Sequence, residues 1–279
     1  MVQRQGEFDG KGYTLERYGS IDEFLRTLEG RELVGDYSWR SADLREEEYS
    51  DKSFHGVKGY TDAREQFVNG TKAKAEMNKA YTAMQTSRKR EQVNAICGCV
   101  PVVAKAIMGV PNAMIDTRHK RIPKVVKVVV NMSIRGDTSA REITEAGKKI
   151  IAAVGKLEAQ GISTEIMCTA DKLLNRHQIS SCGIAIKNSG QVFSAARVSF
   201  SMSSPAFLRT FQWLQLATNP SAEFDSGYGS NVAYHYSGNK LSNYYKAMYG
   251  DGIYISLPDV VRYGAGEIDK AINDWQKRR

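Results

Sequence analysis

The side chains best suited to binding chemistry lie in one short polar loop. Asn131, Ser133, Arg135 and Asp137 follow the apolar run 125–130 and precede a long helical pattern. Their amide, hydroxyl, guanidinium and carboxylate groups can form hydrogen bonds and ion pairs with a ligand or a protein. Because ligands of open α/β sheets bind beyond the carboxyl ends of the strands, we interpret these four residues as a partner-binding loop.

Two further groups of side chains have the chemistry to contact nucleic acid. Basic residues neutralise phosphates, and exposed aromatic rings stack on bases with about 1–3 kcal/mol per base. The predicted phosphate contacts are Arg88, Lys89, Arg90, Arg118, Lys120 and Arg121. The predicted stacking residues are Tyr234, Tyr236, Tyr244 and Tyr245. The alternatives are that the basic residues form a solvated surface and that the tyrosine rings fold back as a hydrophobic lid.

The charge distribution favours an anionic partner. The 279 residues carry a formal net charge of +8, divided as −4 in residues 1–60, +8 in 61–130 and +4 in 131–279. The middle region therefore holds an excess equal to that of the whole chain. Concentrated positive charge of this kind is typical of proteins that bind nucleic acid.

The elements that position the polar loop form a strand, a helix and a second strand. Residues 124–131 have the continuous apolar character of a strand that is covered on both faces. A capping box at Ser139 and Glu142 begins a helix that Gly161 ends. A second apolar run at 162–168 completes a unit that normally forms a right-handed parallel crossover.

Around this unit the sequence predicts an α/β fold. It has a mostly parallel central sheet flanked by helices, an N-terminal helical extension and a β-hairpin. We interpret residues 1–60 as an N-terminal segment packed on the body, 61–123 as a basic helical region and 124–279 as the α/β core domain. The hairpin is predicted at 183–200, with its turn at residues 188–190.

Two more expectations concern the chain after residue 168. A short helix is predicted near residues 170–176, before the hairpin. Residues 218–251 hold six of the fourteen tyrosines and several glycines. We expect them to form a long irregular loop, a feature that is often functional in a compact domain.

Several classes of protein are disfavoured by what the sequence lacks. It contains no GxxxxGK[ST] motif, no GxGxxG after a strand and no Gly-x-Ser-x-Gly elbow. We therefore expect a non-enzymatic protein without a cofactor or a metal. The four cysteines are few and irregularly spaced, which suits free thiols in a reducing compartment. No apolar run reaches the roughly 18 residues of a membrane span, and the first residues lack the apolar core of a signal peptide.

The loop after the central strand resembles the metal-binding loop of von Willebrand factor A-type domains. Those domains carry Asp-x-Ser-x-Ser at the end of their first strand, followed by a long helix and a strand. The matching residues here are Asn131, Ser133 and Arg135, so an amide replaces the acid and an Arg replaces the second Ser. Because a divalent cation needs the carboxylate, the resemblance implies a related scaffold whose metal site is lost.

A second resemblance is to an uncharacterised family of phage-encoded proteins. The residues that carry it are 110–114, 129–133, 143–161 and 204–209. This resemblance implies a phage origin and the host cytoplasm as the setting. It implies no activity.

These observations lead to one leading hypothesis and two alternatives. The chain is predicted to be a phage-encoded, non-enzymatic protein that binds single-stranded DNA in phage transcription or replication. A phage polymerase or another phage or host protein is a further candidate partner, and no membrane contact is expected. The first alternative is a protein-interaction module on a von Willebrand A-like scaffold, which would bind a phage or host protein through loop 131–138. The second alternative is a component of the virion.

Overall fold

The computed structural model describes residues 1–34, 45, 48–49, 51–85, 93–97, 100–116, 124–219 and 229–278. The strands within these residues are β1 (Val2–Phe8), β2 (Lys11–Tyr18), β3 (Val93–Ala95), β4 (Val100–Pro101), β5 (Met114–Asp116), β6 (Lys124–Asn131), β7 (Ile162–Leu173), β8 (Gln178–Lys187), β9 (Ser230–Asn231) and β10 (Ile253–Ser256).

The α-helices in the same residues are α1 (Ile21–Glu29), α2 (Lys52–His55), α3 (Tyr60–Asn69), α4 (Lys74–Gln85), α5 (Val103–Ile107), α6 (Ala140–Ala159), α7 (Ala195–Ser203), α8 (Trp213–Ala217), α9 (Gly238–Tyr249), α10 (Leu257–Tyr263) and α11 (Gly266–Lys277). A π-helix at Phe207–Gln212 runs directly into α8, and a 3₁₀-helix at Val232–Tyr234 follows β9.

The strands form a seven-stranded mixed sheet and a three-stranded antiparallel sheet. The order in the large sheet is β1-β2-β8-β7-β6-β10, and β9 pairs with β7 beyond the end of β6. Strand β6 is parallel to both β7 and β10, and β2 is parallel to β8. Strand β8 runs antiparallel to β7. The predicted α/β class, with a central sheet flanked by helices, is confirmed.

The predicted strand–helix–strand unit is present as β6, α6 and β7. Ser139 Oγ accepts a hydrogen bond from the Glu142 amide, and the Glu142 carboxylate accepts one from the Ser139 amide, so the capping box is confirmed. Gly161 follows α6 with a φ of +81°, a conformation that glycine adopts without a steric cost. The buried stripe of α6 consists of Ile143, Ala146, Gly147, Ile150, Ile151, Val154, Gly155 and Leu157.

The two faces of the large sheet are covered differently. Val126, Val128 and Val130 of β6 join the main core, to which α1, α3, α4, α6, α7, α8, α10 and α11 contribute buried residues. Val129 points to the opposite face, where it packs in a smaller cluster that contains four tyrosines. Strand β6 is therefore covered on both faces near its carboxyl end, as its apolar run predicts.

The predicted helix near residues 170–176 is wrong because β7 continues to Leu173. Asp171 and Lys172 pair with serines of β8, and residues 174–177 form the turn between the two strands. The polar residues at this end of β7 are not on a helix surface. They are buried between neighbouring elements, which the sequence pattern did not reveal.

The predicted hairpin at 183–200 is also wrong. Its first strand is the second half of β8, which pairs back onto β7, and its second strand is helix α7. Val198, Phe200 and Met202 of α7 are fully buried in the main core. The strand propensity of valine and phenylalanine is overridden here by packing against helices, as often happens for buried segments.

The expected irregular loop at 218–251 contains regular structure in its described part. Residues 229–249 form β9, a 3₁₀-helix and α9. Tyr244, Tyr245, Met248 and Tyr249 recur at helical spacing and form the buried face of α9. The glycines around these tyrosines obscured that spacing in the sequence.

The division of the chain at residues 60 and 123 stays a prediction. Strands β1 and β2 extend the same sheet that β6, β7 and β8 form, and residues from α1, α3 and α4 lie in the main core. The structure also shows Cys97, Cys168 and Cys182 as free thiols.

The close contact between α6 and α7 depends on Gly147. A Cβ atom at this position would lie 2.5 Å from the backbone oxygen of Met202. Gly147→Ala is therefore expected to lower the free energy of unfolding by about 1–3 kcal/mol, although alanine favours helices by about 1 kcal/mol over glycine. Urea unfolding measures the change.

The matched control for Gly147→Ala is Lys149→Ala, an exposed position on the same helix. It is expected to change the free energy of unfolding by less than about 0.5 kcal/mol. A Gly147→Ala protein as stable as the wild type would contradict the close packing of α6 on α7.

Candidate ligand-binding cleft

A cleft of about 360 Å³ lies beyond the carboxyl ends of β6 and β7. Three segments and one residue of β7 line it, and each segment contributes charged, polar or aromatic side chains. The lining consists of residues 133–136 after β6, Lys172 of β7, Leu208, Arg209 and Trp213 of the π-helix and α8, and Gly229, Ser230, Asn231 and Tyr234 around β9. This is the place at which the sequence predicts a binding loop.

Asn131 fixes the start of the loop from a fully buried position. Its side-chain oxygen accepts a hydrogen bond from the Ser133 amide at 2.9 Å. Its side-chain nitrogen donates to Asn231 Oδ1 at 3.0 Å and to the Tyr245 hydroxyl at 2.8 Å. Asn231 in turn donates to the Ser133 carbonyl. One amide therefore ties the loop to β9 and to α9.

Asp171 anchors the floor of the cleft from the opposite face of β7. Its carboxylate is fully buried and accepts hydrogen bonds from the hydroxyls of Thr169 at 2.6 Å, Tyr244 at 3.0 Å and Tyr249 at 2.5 Å. The Asp171 amide donates to Ser133 Oγ at 3.1 Å. Burial raises the pKa of this carboxyl to about 6, although the hydroxyl donors favour the charged form.

Arg209 supports the loop from the other wall. Its guanidinium donates to the carbonyls of Phe54, Arg135, Gly136 and Thr138, at distances from 2.6 to 3.3 Å. The group is almost completely buried, and burial lowers the pKa of the guanidinium from its usual value. It comes from the π-helix, a rare element that is frequent at functional sites.

The cleft combines positive charge with aromatic surface. Lys172 is buried on the cleft side of β7, with its Nζ 5.9 Å from the centre of the Trp213 ring. Arg135 is 70 % exposed at the rim, where it pairs with Asp137 at 3.5 Å. Tyr234 presents a ring that is 51 % exposed. An anion with a flat apolar part would find both kinds of contact here.

The structure brings together two sets of predicted residues. The loop residues Ser133 and Arg135 and the stacking residue Tyr234 all line the cleft. Asn131 lies directly behind it and is structural, because it is buried and fully hydrogen-bonded. Asp137 is exposed beside Arg135.

The other three predicted stacking residues are placed in the interior. Tyr236, Tyr244 and Tyr245 are 5 %, 0 % and 3 % exposed and pack in the smaller cluster under α9. Their rings are not available to bases in this structure, so the expectation that they stack on nucleic acid is wrong. The Tyr244 hydroxyl donates to Asp171, and the Tyr245 hydroxyl accepts a hydrogen bond from Asn131, so both tyrosines are held in the interior. The six predicted phosphate contacts, Arg88, Lys89, Arg90, Arg118, Lys120 and Arg121, lie outside the described residues.

Sequence reasoning missed most of the cleft walls. Lys172 lies beside the loop because β7 extends past residue 168, whereas the sequence pattern predicts a helix there. Arg209 is the only charged residue between Ser199 and Leu216. A single charged residue in a buried helix needs hydrogen-bond partners. The isolated position of Arg209 in the sequence therefore indicates a buried polar contact. No local pattern marks Ser230 or Asn231.

Two further findings concern metal ligands and membrane-spanning helices. In the part of the chain that the structure describes, no three histidine, cysteine or acidic side chains are grouped so that they could hold a metal ion. None of the helices described above has both the length and the apolar character needed to cross a bilayer.

The raised pKa of Asp171 predicts how stability depends on pH. The native state holds this proton more tightly than the unfolded chain, in which the pKa is close to 3.8. The buried charge therefore destabilises the fold as the pH rises from about 4 to above 6, by about 3 kcal/mol at 1.4 kcal/mol per pKa unit. In Asp171→Asn this loss is absent. The stability of the variant relative to the wild type is thus expected to increase by about 3 kcal/mol between pH 4 and pH 7.

Urea unfolding at several pH values measures this difference, and Tyr249→Phe provides a second variant. It removes a donor that stabilises the charged carboxylate, so the loss of stability is expected to extend to higher pH. A difference between Asp171→Asn and the wild type that stays constant over this pH range would contradict the account.

Comparisons with known proteins place the chain in a family. No curated protein and no solved structure matches it. The model of one family, described as "Domain of unknown function (DUF7192)", matches residues 7–267. This match covers both walls of the cleft and nearly the whole sheet, and the chain therefore belongs to the DUF7192 family.

Proposed function

We propose that this protein binds single-stranded nucleic acid and that the cleft holds one nucleotide of the bound strand. The observation that carries the proposal is the presence of cationic side chains and an exposed tyrosine ring in one cleft of about 360 Å³. A nucleotide has the matching components, an anionic phosphate and a flat aromatic base. Small-ligand pockets have volumes of about 300–1,000 Å³.

The positive charge of the cleft supports recognition of a phosphate. Lys172 and Arg209 place two buried cations in its walls, and Arg135 adds an exposed one at the rim. The donors of Arg209 are used by backbone carbonyls, so this residue contributes charge rather than direct hydrogen bonds. Lys172 and Arg135 are the residues that we expect to approach a phosphate.

The aromatic surface supports stacking of a base. Tyr234 follows β9 in a 3₁₀-helix that the side chain of Asn231 caps at 2.8 Å. Tyr234 lines the cleft, and about half of the residue's surface is exposed. Stacking on such a ring is tolerant of sequence, because every base has an aromatic face. Binding without sequence preference is therefore expected.

The setting proposed with this function is a phage-infected cell. The protein would act on phage DNA in the host cytoplasm, during transcription or replication. The resemblance of residues 110–114 and 143–161 to phage-encoded proteins supports this setting, as does the net charge of +8. The basic clusters at 88–90 and 118–121 are proposed as further phosphate contacts along the strand.

The proposal predicts how oligonucleotide binding responds to salt and to substitution. Labelled single-stranded DNA should bind the wild type with an affinity that falls steeply as salt increases. Tyr234→Ala is expected to lose about 1–3 kcal/mol of binding free energy through the lost stacking. Arg135→Ala is expected to reduce the slope of log affinity against log salt by about 1. Fluorescence anisotropy across a salt series measures both.

Two control variants test whether binding depends on the cleft or on any exposed ring or charge. Tyr263→Ala removes a ring that is 61 % exposed but does not line the cleft, and Arg64→Ala removes another exposed arginine from an ion pair. Both should bind like the wild type. No binding of single-stranded DNA at low salt, or equal losses in Tyr234→Ala and Tyr263→Ala, would contradict the proposal.

A second candidate function is that of a protein-interaction module. It is favoured by the exposure of Arg135 and Asp137, both 70 % exposed at the tip of the loop. The succession of β6, a long helix and β7 supports the resemblance to von Willebrand A-type scaffolds. A protein that binds no oligonucleotide, but loses a phage or host partner in pull-down when Arg135 is replaced, would fit this candidate. A partner retained by Arg135→Ala would count against it.

A further inference from the structure

A serine and a histidine form a close pair at the wall of the cleft. Ser230 Oγ lies 2.5 Å from His235 Nε2, and Ser230 lines the cleft. Both residues are exposed, so a ligand in the cleft can reach the hydroxyl. A hydroxyl within hydrogen-bond distance of an imidazole is the arrangement in which histidine acts as a general base and serine as a nucleophile.

The backbone around this pair is held in place on both sides. Gly229 has a φ of +73°, and a Cβ at this position would lie 2.6 Å from the Leu173 carbonyl oxygen. Gly229 thus lies directly against β7. Ser230 itself pairs with Leu173 in the β9–β7 ladder. The hydroxyl therefore sits on the rigid sheet rather than on a long loop.

Asn231 fixes the residues between the two partners. It is buried, its side-chain oxygen accepts from the Ala233 amide at 2.8 Å, and its nitrogen donates to the Ser133 carbonyl. The His235 amide then donates to the Val232 carbonyl at 3.0 Å. Because the intervening turn is locked, the serine and the histidine keep their relative position without a ligand. Such preorganisation is what a catalytic pair requires.

The charge of the cleft indicates the kind of ester that would meet this hydroxyl. Ser230 shares the cleft with Lys172 and Arg209, which are buried cations, and with Arg135 at the rim. Positive charge aimed at a reacting phosphate stabilises the negative charge of the transition state. An acyl ester without charge would gain little from the same walls.

We propose that Ser230 is a nucleophile activated by His235, and that the pair cleaves a phosphodiester bound in the cleft. Ser230 Oγ forms a bond to phosphorus, while its proton passes to His235 Nε2. The bond from phosphorus to the leaving oxygen breaks, and the leaving oxygen takes the proton from the imidazole. Water then forms a bond to phosphorus and gives a proton to His235 Nε2, the bond from phosphorus to Ser230 Oγ breaks, and Oγ takes the proton from the imidazole as the phosphate monoester leaves.

This inference goes beyond the proposed binding function but rests on the same phosphate-binding cleft, and covalent labelling of Ser230 can succeed or fail independently of oligonucleotide binding. It departs from the non-enzymatic expectation, which was based on the absence of known motifs in the sequence. Ser230 and His235 are five residues apart and match none of those motifs. Only the turn between them brings their side chains into contact.

The test is covalent labelling of the full-length protein with diisopropyl fluorophosphate, followed by intact mass and peptide mapping. The expected result is a single adduct on Ser230. In His235→Gln the labelling rate should fall by about 100-fold, the low end of what a general base contributes. An excess of bis(4-nitrophenyl) phosphate, an anionic phosphodiester, should slow the labelling of the wild type because it occupies the cleft.

Control variants show whether the pair itself is responsible. His177→Gln and Ser237→Ala change another exposed histidine and another exposed serine, and both should be labelled on Ser230 at the wild-type rate. Circular dichroism confirms that each variant is folded. The proposal would be overturned by the absence of an adduct on Ser230, or by an unchanged rate in His235→Gln. Labelling that the phosphodiester does not slow would overturn the assigned class of substrate.

Discussion

The buried carboxylate of Asp171 is held by hydroxyl groups rather than by a cation. Thr169 reaches it from its own strand, and Tyr244 and Tyr249 reach it from α9. These bonds attach the helix to the sheet at one point, and the raised pKa shows that they do not fully offset the cost of burial. Together with the hydrogen bond from Asn131 to Tyr245, this group joins α9 to the carboxyl ends of the central strands.

The geometry of the cleft follows from that attachment. Successive residues of a strand point to opposite faces, so fixing Asp171 toward the tyrosines also fixes Lys172 toward the cleft. Asn131 continues the same network by joining the loop, β9 and α9. Arg209 holds the outer part of the loop through its carbonyls. The residues that face the cleft are thus held in place by buried polar groups whose hydrogen bonds are formed within the protein.

The same arrangement shows how one amide side chain can hold a polar loop in place. Asn131 accepts a hydrogen bond from the Ser133 amide and donates to Asn231 and to the Tyr245 hydroxyl. An amide can donate and accept at once, which lets one side chain connect three segments. The charge that remains in the cleft is positive, and this suits an anionic ligand.

The sequence predicts the centre of the fold better than its surroundings. The apolar run of β6, the capping box at Ser139 and the end of α6 at Gly161 are local signals, and each of them agrees with the structure. The same pattern predicts a polar loop at the carboxyl end of β6, and residues 133–136 of that loop line the cleft. The β-propensity of α7 and the glycines around α9 gave misleading local signals, since packing against distant residues decides those elements.

The cleft walls could not be derived from the sequence for a similar reason. Lys172, Arg209 and Ser230 come from three separate segments, and only the pairing of β7 with β8 and β9 brings them together. The sequence is also misleading about the aromatic residues of α9. The tyrosines of α9 resemble a stacking surface in composition, but their hydroxyls satisfy Asp171 and Asn131 in the interior.

The most direct test of the account is hydrogen–deuterium exchange of the full chain with and without a short single-stranded oligonucleotide. The account predicts slower exchange of the backbone amides in residues 132–138 and 229–235, which form two walls of the cleft. Slower exchange confined to other regions, such as the three-stranded sheet of β3, β4 and β5, would show that a strand binds elsewhere. That result would contradict the assignment of the cleft as the nucleotide site.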